Sequence, residues 1–460
     1  MSQLGGIDRQ RLRRLISSEE RRFQDTTAAS RAMYRRARDV LVGGVASSYQ
    51  LGNPWPLYMT HGEGAGLWDV DGTRRSDYHG GFGAMVQGHA HPAIGRALQE
   101  RYSRGTHFAA PTEDAVIVGE ELTRRWGLAK WRYTNSGSES TMDAIRIARG
   151  FTGRELVIKI FGSYHGHHDA VMVAVGTGDS DDPFDPPELP YGAGIPGAVA
   201  SLTVAVPFND AAAMERRIER LDAEGRKPAC VILEPTMMLG LVPPEPGYLE
   251  AVRDVTRRHG VVLIFDEVKT GLTVAAGGAV ELYGVTPDLV TLAKALGAGL
   301  ASGAIGGTEE VMSVVEDGTV LQVGTYNGNA LGMAAARANL LEVLTPDAYA
   351  RLDVLSSRMV AGCRAALEEH DLPGYALGIG ARGCVTFASR RIRDYATMRI
   401  QHDPDLLRLT WLHATNRGLY LTPARPEQWT LSIAHTRADV DAYVEAFTEL
   451  AQQLAILMRS

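Results

Sequence analysis

Four short, uninterrupted apolar runs limit most strongly what this chain can fold into. They are LVIKI at 156–160, ACVILE at 229–234, VVLIF at 261–265 and DLVTLA at 288–293, with helical stretches between them. A strand with one face in water alternates apolar and polar residues, whereas a strand buried on both faces reads as a continuous apolar run. Strands of the second kind separated by helices predict an α/β fold with a mainly parallel sheet covered on both sides. In such a sheet the ligand crevice lies beyond the carboxyl ends of the strands. Polar residues stand at those ends: Glu234 after one run, Asp266 and Glu267 after another, Lys294 after a third. The pattern brings them towards one site.

Around this centre the text changes character. Residues 8–42 are polar and helical, an exposed arm or helix. Residues 58–78 contain short alternating runs broken by Gly and Asp-Gly, which predicts a small antiparallel meander. A long helix is expected from about Gly332. Residues 176–197 are rich in Pro, Gly and Asp, and a loop of that length is often an active-site lid. With 460 residues one core is not enough. We expect an N-terminal arm and meander over 1–87, a large domain over 88–335 and a smaller α+β domain over 336–460.

Several function classes are disfavoured. The formal net charge is −7 with both signs scattered, so no basic surface for nucleic acid is indicated. No apolar run reaches the roughly 18–20 residues that span a bilayer. Cys230, Cys363 and Cys384 lie far apart, as reduced thiols do. The Arg-rich start is interrupted by acids and lacks the apolar core of a signal peptide, so the cytoplasm is expected. The stretches YHGHHD and GHAHP lack carboxylates or cysteines at zinc-site spacing, and no metal is expected. The glycines at 297–303 miss dinucleotide-loop spacing.

The remaining signals are chemical. In RYTNSGSESTMDAIRIAR a strand ends at Thr134 and a helix begins after Ser138, so Ser136, Gly137 and Ser138 sit at a helix N-terminus, where free N–H groups and the dipole favour phosphate. Ser136 and Glu139 also have the spacing of a capping box. Asp266 ends a buried strand. Lys294 follows an apolar strand directly, and a lysine there is either used as an amine or snorkels outward. Tyr164 can stack on a flat heterocycle or belong to the core. Together these are the parts pyridoxal phosphate needs: a phosphate site, a carboxylate for the ring nitrogen, an amine for the aldehyde and an aromatic lid.

Seven motifs in order carry a resemblance: TNSGSESTM, YHGHHD, VPPEPGYLE, LIFDEV, DLVTLAKALGAGL, GTYNGN and LSIAHT. The chain resembles the class III pyridoxal-phosphate-dependent aminotransferases, in motif order most like glutamate-1-semialdehyde aminomutase and the β-amino-acid aminotransferases, from about residue 41 to 444. The resemblance implies the type I pyridoxal-phosphate aminotransferase fold. Lys294 matches the Schiff-base lysine and Asp266 the partner of the ring nitrogen. Ser136, Gly137 and Ser138 match the phosphate cup, Tyr164 and Val268 the two ring faces, and Glu234 joins the cofactor-binding set. Thr325 matches a threonine that reaches the neighbouring subunit's phosphate, which implies a homodimer with shared sites. The implied reaction moves an amino group between an amine or β/ω-amino acid and a keto acid, or within one molecule in an aminomutase.

The substrate end departs from the family. Gln50 stands where the aminomutase has a carboxylate-binding arginine, and Phe82 replaces a family tryptophan. Glu427 matches the aminomutase's gating carboxylate, while Arg425 is an arginine the aminomutase lacks there. These four are the expected substrate-facing residues.

Overall fold

In the computed structural model, residues 6–175, 188–401, 403–423 and 429–458 are described. The meander is formed by β1 (Met59–Glu63), β2 (Gly66–Asp69) and β3 (Arg74–Asp77). The central sheet contains β4 (Lys130–Thr134), β5 (Val157–Ile160), β6 (Thr203–Val206), β7 (Cys230–Leu233), β8 (Val262–Asp266), β9 (Leu289–Leu292) and β10 (Gly303–Gly307). A third group follows: β11 (Tyr375–Ile379), β12 (Arg382–Thr386), β13 (Leu419–Tyr420) and β14 (Trp429–Thr430).

The central strands lie in the order β4-β10-β9-β8-β7-β5-β6. Every contact among β5 to β9 is parallel, and β10 alone runs against its neighbours β4 and β9. The four apolar runs became β5, β7, β8 and β9, each buried along its whole length. Alternate residues serve opposite faces, as the pleat requires. Leu263 and Phe265 pack with Met214 and Val252, whereas Ile264 packs with Ile145 and Ala148. Helices therefore cover both faces, and the α/β expectation holds. The reversal of β10 brings its starting end to the edge where the parallel strands finish.

The meander forms as expected and gains a fourth strand, because β13 pairs with β3 in parallel. The two ends of the chain thus share a sheet. The N-terminal segment is less exposed than the sequence suggested. The helix Arg9–Thr26 buries Leu12, Ile16 and Phe23, an apolar stripe at helical spacing. Phe23 meets Trp55 and Trp411, with ring centroids 6.0 and 5.4 Å away.

The expected long helix after Gly332 is also interrupted. The helix Ala330–Ala338 passes into a π turn at Asn339–Val343, and a new helix spans Pro346–Glu369. Such bulges have local causes. Here Asn339 is fully buried and its amide donates to the carbonyl of Ala295 at 2.7 Å, beside Lys294.

Gly303 shows how closely β10 approaches the helix Gly137–Thr152. A Cβ there would lie 2.7 Å from Ser140 Oγ and also against Thr134 Oγ1. Ser140 Oγ bonds Thr134 Oγ1 at 2.6 Å and the carbonyl of Leu292 at 3.1 Å, tying the helix to the ends of β4 and β9. Gly303→Val should therefore lower the unfolding free energy by about 1–3 kcal/mol. Urea denaturation measures this, and an unchanged midpoint would refute the packing described.

Candidate active site

A cavity of about 410 Å³ opens beyond the carboxyl ends of the parallel strands. Ser136, Gly137 and Ser138 reach it from the segment after β4, Tyr164 and His165 from the loop after β5, and Glu234 from β7. Asp266, Val268 and Lys269 come from the turn after β8, Lys294 from β9, and Ser302 from the approach to β10. Among the residues expected from sequence, Lys294, Asp266, Ser136, Gly137, Ser138, Tyr164, Glu234, Val268 and Phe82 all line this one space.

The helix Gly137–Thr152 starts with Ser136 as N-cap, whose hydroxyl accepts from Glu139 N at 3.2 Å. Glu139 reaches back to accept from Asn135 N at 2.6 Å. The capping reading and the phosphate reading are therefore compatible. The cap uses the Glu139 amide, while the N–H groups of Gly137 and Ser138, at the first turn, have no acceptor among the described residues. Gly137 is a cradle position: a Cβ there would lie 2.7 Å from Val268 Cγ1. Gly166 has φ +101° and brings the β5 loop within 2.6 Å of Ser138 Oγ, measured from where its Cβ would be. Only glycine takes that conformation without strain.

Asp266 is held by three donors. Its Oδ1 accepts from Val268 N at 3.0 Å and Thr291 Oγ1 at 3.2 Å, and its Oδ2 lies 2.7 Å from His165 Nδ1. His165 is fully buried, and burial holds its pKa below the usual value against the pull of Asp266. Its other ring nitrogen, Nε2, lies 2.8 Å from Ser163 Oγ, whose hydroxyl donates to the carbonyl of Ile160 at 2.6 Å. His165 was not singled out from sequence. Its signal was its place directly after Tyr164.

The loop carrying Tyr164 and His165 is fixed by a fully buried lysine. Lys159 lies inside the apolar run of β5, where burial pushes its amine down to about 7, and its Nζ bonds the carbonyls of Ser163, Val171 and Val173 at 2.8, 3.1 and 2.8 Å. These carbonyls satisfy a polar group that burial would otherwise expel.

Lys294 is half-buried at the floor of the cavity and has φ +46°, a left-handed backbone that costs an L residue energy. Burial pushes its amine down to about 7, and the charge of Lys269 acts in the same direction, while Asp266 pulls upward. Glu234 is pushed up to about 7 by burial and then by Asp266, with Lys269 and Lys294 opposing. The cavity thus holds an amine and a carboxyl that both exchange protons near neutrality.

The outer wall is aromatic and apolar. Tyr49 packs on Phe82 and Tyr164 with ring centroids 5.5 and 5.8 Å apart, and Tyr191, Met238 and Leu239 continue the wall. Tyr49 lines the cavity, whereas Gln50 does not. Gln50 is exposed, its Oε1 accepting from Ala46 N at 3.1 Å. Thr325 is exposed and outside the cavity lining. Arg425 and Glu427 lie outside the described residues, as do residues 176–187 of the expected lid. The remainder of that loop brings Tyr191 to the wall. No arginine lines the cavity among the described residues.

Anion donors at a helix start, a fixed carboxylate and a low-pKa amine are the parts that a pyridoxal-phosphate site needs. The pattern of the class-III aminotransferases matches residues 48–445, so the chain belongs to the class III aminotransferase family. It is 38% identical over 429 residues to glutamate-1-semialdehyde 2,1-aminomutase of Methanothermobacter thermautotrophicus, covering 92% of this chain and 99% of that protein. The fold matches an omega-transaminase from Sphaerobacter thermophilus with TM-score 0.87 and 36% identity, over 93% of this chain and 98% of that one. It also matches a glutamate-1-semialdehyde aminomutase from Pseudomonas aeruginosa PAO1 with TM-score 0.89 and 31% identity, over 98% and 100%. Pyridoxal 5′-phosphate is the cofactor of this fold.

The depressed amine makes a thermodynamic prediction for the cofactor-free protein. Unfolded, Lys294 titrates near 10.4, and folded near 7. Below pH 7 both states are protonated, and the fold bears the full cost of the buried charge. Above 7 the folded amine is neutral, and the cost fades as pH approaches the unfolded value. Lys294→Met should therefore be more stable than wild type at pH 6, with the gap narrowing by pH 10. Urea midpoints at both pH values test this, and a gap that stays constant or widens would contradict it.

Proposed function

We propose that the chain is an aminotransferase that moves an amino group between an amine or a β/ω-amino acid and a keto acid, with Lys294 as the lysine that holds the cofactor. When bound, pyridoxal phosphate supplies an electron sink for the carbon that carries the amine. The protein's own groups then have distinct tasks. The N–H groups of Gly137 and Ser138, with the Ser136 cap, bind the phosphate. Tyr164 and Val268 enclose the ring. Asp266, oriented by His165, Thr291 and its own turn, keeps a negative charge where the ring nitrogen takes a proton. Lys294 Nζ, largely able to lose its proton near pH 7, takes a proton from the amine-bearing carbon and returns it. Glu234 stands beside it as a second proton-exchanging group.

The observation that carries this reading over its rival is the aromatic wall of Tyr49, Phe82, Tyr164 and Tyr191, with no arginine among the described lining residues. A wall of that kind suits an amine or a β-amino acid with an apolar side chain. The rival is a glutamate-1-semialdehyde 2,1-aminomutase, which shifts the amino group within one molecule. It is favoured by the name borne by relatives at 37–40% identity. A screen of amine and β-amino-acid donors against pyruvate and 2-oxoglutarate, with glutamate-1-semialdehyde in parallel, separates the two. We expect donor-dependent transfer to exceed aminomutase turnover, and the reverse ranking would assign the intramolecular reaction.

We further propose a homodimer with shared sites, located in the cytoplasm. Thr325 sits in an exposed segment with Leu321, Val323 and Tyr326, which are 69%, 78% and 61% exposed. A second copy would cover these apolar side chains and bring Thr325 to its neighbour's phosphate. The three cysteines are buried and unpaired, as a reducing compartment allows. No helix among the described residues is long and apolar enough to cross a membrane. Sedimentation of the active enzyme should give a dimer or larger, and a fully active monomer would contradict the shared site.

A further inference from the structure

Phe82 reaches the cavity wall from a strained turn. Gly80, Gly81, Phe82 and Gly83 have φ of +56°, +57°, +60° and +95°, four left-handed residues in succession. For a phenylalanine that backbone costs energy and persists only where the surroundings impose it. At the start of the turn the buried Asp77 does so. Its Oδ1 accepts from His79 N at 3.0 Å and Gly80 N at 2.9 Å, and its Oδ2 lies 2.7 Å from His89 Nε2. The Phe82 ring then meets the His79 ring edge-on, with centroids 4.2 Å apart, and Tyr49 at 5.5 Å.

At the end of the turn stands Arg382, which is 1% exposed. A Cβ on Gly83 would lie 2.6 Å from Arg382 Nη1, so the guanidinium fills the notch that the glycine leaves. The same Nη1 donates to Thr430 Oγ1 at 2.6 Å. Thr430 packs in turn on Gly80, whose Cβ would lie 3.0 Å from that of Thr430. The two residues pair in register across β12 and β14, and together they back both ends of the turn. Their base is fixed. Thr430 N donates to the carbonyl of Tyr78 at 2.7 Å and Ala381 N to that of Thr273 at 2.8 Å. Thr273 follows the turn after β8, which Glu267 clamps: its carboxylate accepts from Trp126 Nε1 at 3.0 Å, Thr270 Oγ1 at 3.0 Å, Ala279 N at 2.6 Å and Val280 N at 3.3 Å. A guanidinium is costly to bury, and its place behind a strained turn that lines the cavity argues for a use. Its planar, rigid head makes it a wedge with one position.

We propose that Arg382 is a positioning residue: by filling the notch at Gly83 it holds the left-handed turn and sets the Phe82 ring where a flat aryl group of the substrate packs on it. The inference rests on the amino-transfer reading and adds to it the residue that, through Phe82, selects the donor's side chain. Aromatic rings favour offset and edge-on partners over puckered ones of similar size, so the selection is for flat rings.

The test is calorimetric binding to the cofactor-loaded enzyme of two unreactive probes with equal charge, 3-phenylpropionate and 3-cyclohexylpropionate. The ratio of their affinities in Phe82→Ala is the baseline. Wild type should favour the flat ring about fivefold more than that baseline, the worth of one aromatic pair. Arg382→Met should fall to the baseline while the absorbance band of the bound cofactor stays. The double variant should show the same ratio again, because both changes act on one contact. Thr430→Val, which removes the hydroxyl that anchors the guanidinium, should lower the ratio too, and it decides the matter if Arg382→Met does not fold. A wild type at the baseline overturns the proposal. So does an Arg382→Met protein with the wild-type ratio, a double variant that falls further than Phe82→Ala, or, where Thr430→Val must decide, an unchanged ratio in that variant. Failure of the amino-transfer reading would look different: the preference for the flat ring would remain while no donor in the screen was turned over.

Discussion

Asp266 ends a strand whose other four residues are apolar and buried, and three donors from separate parts of the chain hold it there. A carboxylate in that position is tolerable only while those donors are in place. The requirement organises much of the molecule. His165 must be delivered from the loop after β5, so that loop is pinned by Lys159 through three carbonyls. Thr291 must stand on β9 in register with β8, where it pairs directly with Asp266. The turn after β8 must keep Val268 N beneath the carboxylate, and the buried Glu267 clamps it there.

The same constraint explains what the sequence made legible. Continuous apolar runs translate directly into strands buried on both faces, so β5, β7, β8 and β9 were read with their functional residues at their ends. β10 was not read, because it is GAIGG, a composition poor in strand formers. Its glycines exist for the neighbours: a Cβ at Gly306 would meet Trp131 at 2.5 Å, and one at Gly307 would meet Met312 at 2.6 Å. Such a requirement belongs to the assembled sheet and leaves no periodic trace. Likewise the break after Ala338 follows from Asn339 bonding Ala295, a tertiary contact that the helical text conceals.

At the site, motifs with a local mechanism were visible, and partnerships across the chain were not. Ser136, Gly137 and Ser138 announce a helix start within a few residues. His165 reaches Asp266 across 101 positions, and nothing local distinguishes it from the other histidines of YHGHHD. Lys159 hid inside a run read as apolar, since its polarity is spent entirely on three backbone carbonyls. Gln50 differs in another way: a short 3-10 turn directs its neighbour Tyr49, rather than Gln50, to the cavity.

Lys159 is buried behind the cavity loop while Lys269 and Lys294 line the cavity, and only Lys294 is assigned the cofactor. Borohydride reduction of the purified holoenzyme, followed by peptide mass spectrometry, fixes the cofactor to whichever lysine holds it. The account predicts the added mass on the peptide containing Lys294 and on no other. Attachment at Lys269 or Lys159, or no attachment at all, would contradict it.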